Sequence, residues 1–150
     1  MNIRFENRSE FSVYGYAVET ILNSNGNDTG RLWENYKDAL LRVPESKSCL
    51  YGVLWYTEEH RYFYLLGIQS EKPPMGGMTA VVIPAALFAV AAVPSHMNAT
   101  EAWTQYFETE LPALHYVPEA KHGKYFEFYN ADGECELWTP VTKQLEQDEL

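Results

Sequence analysis

Apolar and polar residues alternate in several short segments of the chain, and a period of two residues is typical of β-strands with one buried face. The alternation begins over residues 11–22, where aromatic and β-branched residues are frequent. The same criteria predict six further strands, over residues 50–57, 61–68, 79–83, 87–93, 124–130 and 135–141. Residues 58–60 separate the second strand from the third closely enough to predict a hairpin.

Two segments instead show the period of 3.6 residues that places apolar side chains on one face of a helix. The first helix is predicted over residues 28–42, and Pro44 ends it because proline cannot continue a helix. The second is predicted to begin at Asn98, since Asn98 and Glu101 have the spacing of a capping box. This helix is expected to end at about Leu111, before a second proline.

The order of predicted elements occurs twice along the chain, and the two helices share residues. The pattern Trp-x-x-Tyr-x-x-x-x-Leu starts at Trp33 and again 70 positions later at Trp103. We therefore predict an α+β fold in which duplicated βαββ units form a mainly antiparallel sheet with two main helices. A ligand pocket is expected at the pseudo-twofold seam, because small-molecule pockets are common between such units. The predicted single domain spans residues 1–150, with repeats over about 11–68 and 78–141, a linker over about 71–77 and an acidic tail over 143–150.

The net charge of the chain limits the classes of molecule that it is expected to bind. Its formal net charge is −10, with 11 Lys and Arg residues against 21 Asp and Glu residues. This balance argues against direct nucleic-acid binding, which requires clustered basic side chains, and is compatible with a cationic ligand. The longest apolar run, residues 80–93, is too short to span a membrane, and we see no secretory leader. We therefore expect a cytoplasmic protein.

The sequence carries few signatures of enzymes or of metal sites. It has no Gly-rich phosphate loop and no nucleophile elbow. Cys49 and Cys135 lack the spacing of a zinc site, and the four histidines are isolated from one another. We accordingly predict neither a metal nor a cofactor.

The most distinctive local feature is the predicted strand around Glu127. Alternation places Glu127 on one face with Tyr125 and Tyr129, while Phe126 and Phe128 lie on the other. A carboxylate buried among aromatic rings requires a partner, and a cationic ligand with cation–π contacts would provide one. The alternation alone leaves open a second possibility, in which Glu127 is exposed on an edge strand.

Other residues of the predicted strands and of the first helix are candidate walls for this pocket. They are mostly aromatic, and each of them is equally suited to the core. The candidates that accompany Glu127 and Tyr129 are Tyr51, Trp55, Tyr62, Tyr64, Trp33, Trp138 and Met78.

Several short motifs, in this order and spacing, resemble the GyrI-like small-molecule-binding family over residues 11–141. They are Phe11 to Gly15, Leu32-Trp33, Tyr51 to Val53, Tyr64 to Gly67, Ile83-Pro84, Leu111-Pro112, Phe126 to Tyr129 and Trp138 to Val141. That family includes effector-binding domains of AraC- and MerR-type multidrug regulators and also stand-alone proteins. The resemblance implies that Glu127 is a pocket residue that pairs with cationic ligands. The chain departs from the family at residues 93–97, where a Gly-rich turn is common.

We therefore expect a stand-alone protein that senses or sequesters a hydrophobic, cationic small molecule through Glu127 and aromatic walls. No DNA-binding segment is predicted before residue 11. One alternative is a hydrolase in which Glu127 is the general base and Tyr64 or Tyr129 donates a proton. A second alternative, implied by the resemblance, is a protein-interaction role like that of the gyrase-inhibitor members of the family.

Overall fold

A computed structural model describes residues 1–21, 27–58, 61–119 and 123–143 of the chain. The described residues form nine strands and two α-helices: β1 (Ile3–Arg8), β2 (Phe11–Ile21), α1 (Asn27–Arg42), β3 (Leu50–Glu58), β4 (Arg61–Gln69), β5 (Thr79–Ile83), β6 (Ala86–Ala92), α2 (Ala99–Gln105), β7 (Tyr116–Pro118), β8 (Lys124–Tyr129) and β9 (Cys135–Lys143). The predicted α+β class, with a mainly antiparallel sheet and two main helices, is confirmed. Most of the predicted turn at 58–60 and of the predicted acidic tail lie outside the described residues.

Two of the strands were not predicted, namely β1 and the short β7. In β1 only Ile3 and Phe5 follow an apolar alternation before polar residues begin. This strand lies at the edge of the sheet, where Phe5 remains 39% exposed, so its outer face needs no apolar residues. The fold therefore begins at residue 3 and not near residue 11.

The order of strands in the sheet is symmetric about its centre. The order is β1-β6-β9-β8-β3-β4-β2-β5, with β7 added beside β9. The central pair is β3 with β8, and in this antiparallel pair Gly52 lies opposite Glu127. The two edge strands are exchanged between the halves, because β1 precedes β2 in the chain but pairs with β6, and β5 precedes β6 but pairs with β2.

The short connections from β1 to β2 and from β5 to β6 require the sheet to curl. Only Ser9 and Glu10 join β1 to β2, and only Pro84 and Ala85 join β5 to β6. Three Cα–Cα steps span at most about 11 Å. In a flat sheet each pair of strands would lie six strand spacings apart, or about 29 Å. The sheet is therefore strongly curved, and its concave face encloses an aromatic core in which the ring centroids of Phe11 and Phe126 are 5.5 Å apart.

Both helices pack on the other, convex face of the sheet. Leu32 and Leu40 of α1 are buried in a cluster formed with the first half of the sheet, while Ala102 and Tyr106 of the α2 segment are buried against the second half. The helices therefore lie side by side over the two halves, and the β3–β8 pair runs beneath the junction between them. None of the helices in the described ranges is both long and apolar enough to cross a membrane.

The second helix differs from its prediction at its C-terminal end. Its start is confirmed, because the Asn98 side chain accepts a hydrogen bond of 2.8 Å from the backbone N–H of Glu101. After Gln105 the chain continues in a wide π-helical turn, in which the N–H of Leu111 donates to the carbonyl of Tyr106 at 2.9 Å. Five residues on a regular α-helix would place Tyr106 and Leu111 about 140° apart. The wide turn allows both side chains to face the core, where they are 0% and 1% exposed.

Candidate functional site

Glu127 lies at the centre of β8, on the face of the sheet that the helices cover. Its side chain is buried, with 5% exposure. The strand is flanked by β3 on one side and by β9 on the other, so β8 is not an edge strand. The alternative in which Glu127 projects into solvent therefore does not describe this structure.

The Glu127 carboxylate accepts three hydrogen bonds from neutral donors. The hydroxyls of Tyr64 and Tyr129 each donate to Oε1 at 2.8 Å, and the indole N–H of Trp103 donates to Oε2 at 2.8 Å. Within the described ranges no basic side chain forms an ion pair with Glu127. Among the residues that the structure describes, the carboxylate therefore has hydrogen-bond partners but no positively charged side chain to neutralise it.

A second tryptophan extends this network. The indole N–H of Trp33, in α1, donates to the Tyr64 hydroxyl at 3.1 Å. Tyr64 thus accepts from Trp33 and donates to Glu127, which fixes the direction of its hydroxyl hydrogen. The network consequently links both helices to strands β4 and β8 through one carboxylate.

Burial and hydrogen bonding act in opposite directions on the pKa of Glu127. Burial raises the pKa above the ordinary value of 4.5, the three donors lower it, and burial dominates. Burial and the nearby Glu127 charge also raise the pKa of the Tyr64 hydroxyl and that of Tyr129. Both phenols therefore keep their protons and remain donors at neutral pH.

Gly52 makes room for the contact between Tyr64 and Glu127. A Cβ atom at position 52 would lie 2.2 Å from the Tyr64 hydroxyl oxygen and 2.7 Å from Oε1 of Glu127. Both distances are too short for any side chain to be accommodated without displacing the network. A glycine opposite Glu127 is therefore part of the site.

Glu127 lines a cavity of about 350 Å³ above the β3–β8 pair. Its walls come from both halves of the fold, including Thr29 of α1 and Thr100 of α2. The rings of Trp103 and Phe107 stack with centroids 5.3 Å apart, and Phe107 meets Tyr125 edge to face at 5.7 Å. The aromatic residues that line the cavity are Tyr56, Tyr62, Tyr64, Trp103, Phe107 and Tyr125.

The structure brings some of the sequence-predicted residues to Glu127. Tyr64 lines the same cavity, and Tyr129 donates to the carboxylate from the same strand. Trp33 and Tyr129 line a neighbouring cavity of about 480 Å³, and their rings meet edge to face at 4.7 Å. Met78 packs against the apolar cluster beneath α1 and does not line the Glu127 cavity.

Three predicted residues, Tyr51, Trp55 and Trp138, lie on the concave face and therefore outside this cavity. Tyr51 and Trp138 instead surround the guanidinium of Arg8, which lies 5.8 Å and 5.2 Å from their ring centroids. The Arg8 guanidinium also donates to the Tyr51 hydroxyl at 3.1 Å. These rings already hold a cation that belongs to the chain itself.

Among the aromatic residues that line the cavity, Tyr56, Trp103 and Phe107 were not predicted as site residues, whereas Tyr62 was a candidate and alternation placed Tyr125 on the face of Glu127. The signal for Trp103 was available, because it occupies the position of Trp33 in the repeated pattern. For Phe107 the relevant information is the wide turn that follows α2, and for Tyr56 it is strand register. Leu54 lies opposite Tyr64, so the even-numbered residues of β3 face the cavity and the odd-numbered ones do not.

Other regions of the described chain contain fewer side chains that could bind a ligand or react. A cavity of about 590 Å³ is lined by Phe11, Tyr51 and Phe128, but its carboxylates are exposed. Among the residues placed by the structure, no group of three or more His, Cys, Asp or Glu is arranged to hold a metal ion. Burial raises the pKa of the Cys135 thiol to about 12, so this thiol is not a nucleophile at neutral pH.

Comparison with protein families and with solved structures places this geometry among known folds. The model of the Cass2 family, described as integron-associated effector binding protein, matches residues 4–141. No curated protein sequence matches the chain. The family match and the structural neighbours confirm the predicted resemblance to GyrI-like effector-binding domains.

Three solved structures share the fold at low sequence identity. An integron cassette protein from Vibrio cholerae is 14% identical, with a TM-score of 0.70, covering 93% of this chain and 95% of its own. The protein SAV2435, bound to tetraphenylphosphonium, is 11% identical with a TM-score of 0.68, covering 95% and 94%. The C-terminal domain of EcmrR is 14% identical with a TM-score of 0.63, covering 95% and 98%.

Proposed function

The chain belongs to the Cass2 family of integron-associated effector binding proteins, and we propose that it binds a hydrophobic, positively charged small molecule through Glu127. The observation that carries this proposal is a buried carboxylate with three neutral donors and no cationic partner among the described residues. Removing a carboxylate from water is costly, and neutral donors offset only part of that cost. A cation beside Glu127 would supply the missing charge.

The walls of the cavity favour a hydrophobic cation over a strongly hydrated one. The rings of Trp103, Phe107 and Tyr125 contact one another around the space above Glu127. Aromatic faces attract cations, and the attraction is largest where water is excluded. A volume of about 350 Å³ is within the ordinary range of small-molecule pockets. Binding of this kind would allow the protein to sense or to sequester its ligand.

The proposal can be tested by titrating tetraphenylphosphonium, the ion carried by one structural neighbour, into the protein. The Glu127→Gln variant keeps the size of the side chain and removes its charge, so we expect its affinity to fall about tenfold or more. Glu34→Gln is the matched control, because Glu34 is exposed on α1 and does not line the cavity. Equal affinities of wild type and a folded Glu127→Gln variant would overturn the proposal.

A second candidate function follows from the raised pKa of Glu127. A carboxylate held in apolar surroundings is a stronger base than usual, and the hydrogen bonds from Tyr64 and Tyr129 hold Glu127 in place. Glu127 would then remove a proton from a water molecule as the water oxygen bonds to an electrophilic carbon of the ligand, and it would pass that proton to the leaving group as the bond between this group and the carbon breaks. Product formation from a candidate electrophile, lost in Glu127→Gln, is the expected result. Binding in a stoichiometric ratio without any product would exclude this activity for that compound.

A further inference from the structure

The cavity that contains Glu127 is lined by a second carboxylate, that of Glu108. Glu108 belongs to the wide turn that follows α2, and its side chain is exposed. No Lys, Arg or His is present among the described residues that line this cavity. With Glu127 ionised, the described part of the lining therefore carries two negative charges and no positive one.

The helical segment sets how far along its axis Glu108 lies from Trp103, the residue that contacts Glu127. Trp103 donates to Glu127, and Glu108 lies five residues further along the same segment. At about 1.5 Å per residue in an α-helix, and less in the wide turn, the backbone of Glu108 lies roughly 7 Å beyond that of Trp103 along the helix axis. Phe107, stacked on Trp103, lines the same cavity as both carboxylates. One carboxylate thus lies at the buried end of an aromatic wall and the other at its exposed end.

From this arrangement we infer that the preferred ligand is an aromatic dication, with one charge on or beside the ring system and a second on a tether of about six bonds. The inference rests on the proposed function, because it assigns the first charge to Glu127. A ligand with a single charge would neutralise only one of the two carboxylates. A tethered ammonium group would reach Glu108 at the exposed end, where the ring wall no longer excludes water.

The expected contribution of Glu108 is modest because its side chain is solvated. Exposed ion pairs raise affinity by roughly twofold to fivefold, and salt weakens them. The buried charge at Glu127 would therefore dominate affinity, and Glu108 would determine the preference for a dication over a monocation. This difference in solvation allows the two roles to be measured separately.

The test uses two 9-(alkylamino)acridines that differ in one group. One ends its alkyl arm in a dimethylammonium group, and the other ends it in an isopropyl group of the same shape. Titration of both compounds into wild type, Glu108→Gln and Glu34→Gln measures the preference for the dication. We expect a preference of about twofold to fivefold in wild type and in Glu34→Gln, and none in Glu108→Gln.

Equal affinities for the two acridines in wild type would overturn the inference, as would a preference that persists in Glu108→Gln. A preference that declines with added salt in wild type would support it. Titration of the Glu127→Gln variant separates this inference from the proposed function. If both acridines bind Glu127→Gln as tightly as wild type, the proposed function fails, and the assignment of the first charge fails with it.

Discussion

Trp33 and Trp103 occupy equivalent places in the repeated helix pattern, and both direct an indole N–H towards the same carboxylate. Trp103 donates directly to Glu127, whereas Trp33 donates to the Tyr64 hydroxyl, which in turn donates to Glu127. The two helices of a nearly symmetric fold therefore meet at one carboxylate. This point is asymmetric, because the second half of the fold carries Glu127 and the first half carries Gly52 opposite it.

The two tryptophans are expected to differ in their effect on the pH dependence of cation binding. A hydrogen bond to the charged form lowers the pKa of a carboxyl group, so Trp103→Phe should raise the pKa of Glu127. Cation binding requires the ionised carboxylate. As the pH is lowered, the affinity for the cation should therefore fall to half of its neutral value at a higher pH than in wild type. Trp33→Phe should shift this midpoint less, because Trp33 acts through Tyr64.

The measurement is the affinity for tetraphenylphosphonium across a series of pH values. Trp55→Phe is the control, since Trp55 lies on the concave face and should leave the midpoint unchanged. A larger shift in Trp33→Phe than in Trp103→Phe would contradict the geometry of the network.

The stability of the ligand-free protein should also depend on the protonation of Glu127. Its pKa is higher in the folded state than the ordinary value of 4.5, so the folded state binds this proton more tightly than the unfolded state does. The contribution of Glu127 to the free energy of unfolding is therefore largest below its ordinary pKa, and it is lost as the pH rises through the raised value. The Glu127→Gln variant should lack this pH-dependent contribution to the free energy of unfolding.

Urea denaturation of both proteins at several acidic and neutral pH values provides the test. The free energy of unfolding of wild type, relative to that of Glu127→Gln, should decrease as the pH rises. A difference that increases over this range would mean that the folded state stabilises the charged form of Glu127, and a raised pKa for this carboxyl group would then be wrong.

Gly52 is expected to be intolerant of even the smallest side chain. The Cβ atom of Gly52→Ala would lie 2.2 Å from the Tyr64 hydroxyl oxygen, so Tyr64 or Glu127 must move. We expect a loss of about 1–3 kcal/mol in the free energy of unfolding, as is usual for overpacking, together with weaker binding of tetraphenylphosphonium.

Gly30→Ala is the matched control for this substitution. A Cβ atom at Gly30 would meet none of the described neighbouring atoms within 4 Å, and alanine is the better helix former. Gly30→Ala should therefore stabilise the protein by about 0.5–1 kcal/mol and leave cation affinity unchanged. If Gly52→Ala bound the cation as Gly30→Ala does, Gly52 would have no part in the site.

The sequence was sufficient to predict the features that depend on local patterns. Alternation placed Glu127 on one face with Tyr125 and Tyr129, and capping-box spacing located the start of α2 at Asn98. The resemblance to a known family then indicated a pocket role for Glu127. Each of these features depends on residues within a few positions of one another.

Features that depend on long-range pairing could not be predicted in this way. The edge strand β1 is ordered by pairing with β6, as in the pair Phe5 and Ala89, and its own residues alternate only weakly. Similarly, Tyr51 and Tyr64 are equally aromatic strand residues. They lie on opposite faces because of the register between β3 and β4, which neither strand specifies alone. Curling of the sheet then buries Tyr51 in a separate core.

The central claim is that the buried Glu127 carboxylate selects its ligand by positive charge, and two ions of nearly identical shape test it most directly. Tetraphenylphosphonium and tetraphenylborate differ chiefly in the sign of their charge, so the ratio of their affinities isolates electrostatics from hydrophobic burial. We predict that wild type binds the phosphonium at least about tenfold more tightly and that Glu127→Gln loses most of this preference. Equal binding of the two ions by wild type, or a preference unchanged in Glu127→Gln, would contradict the claim.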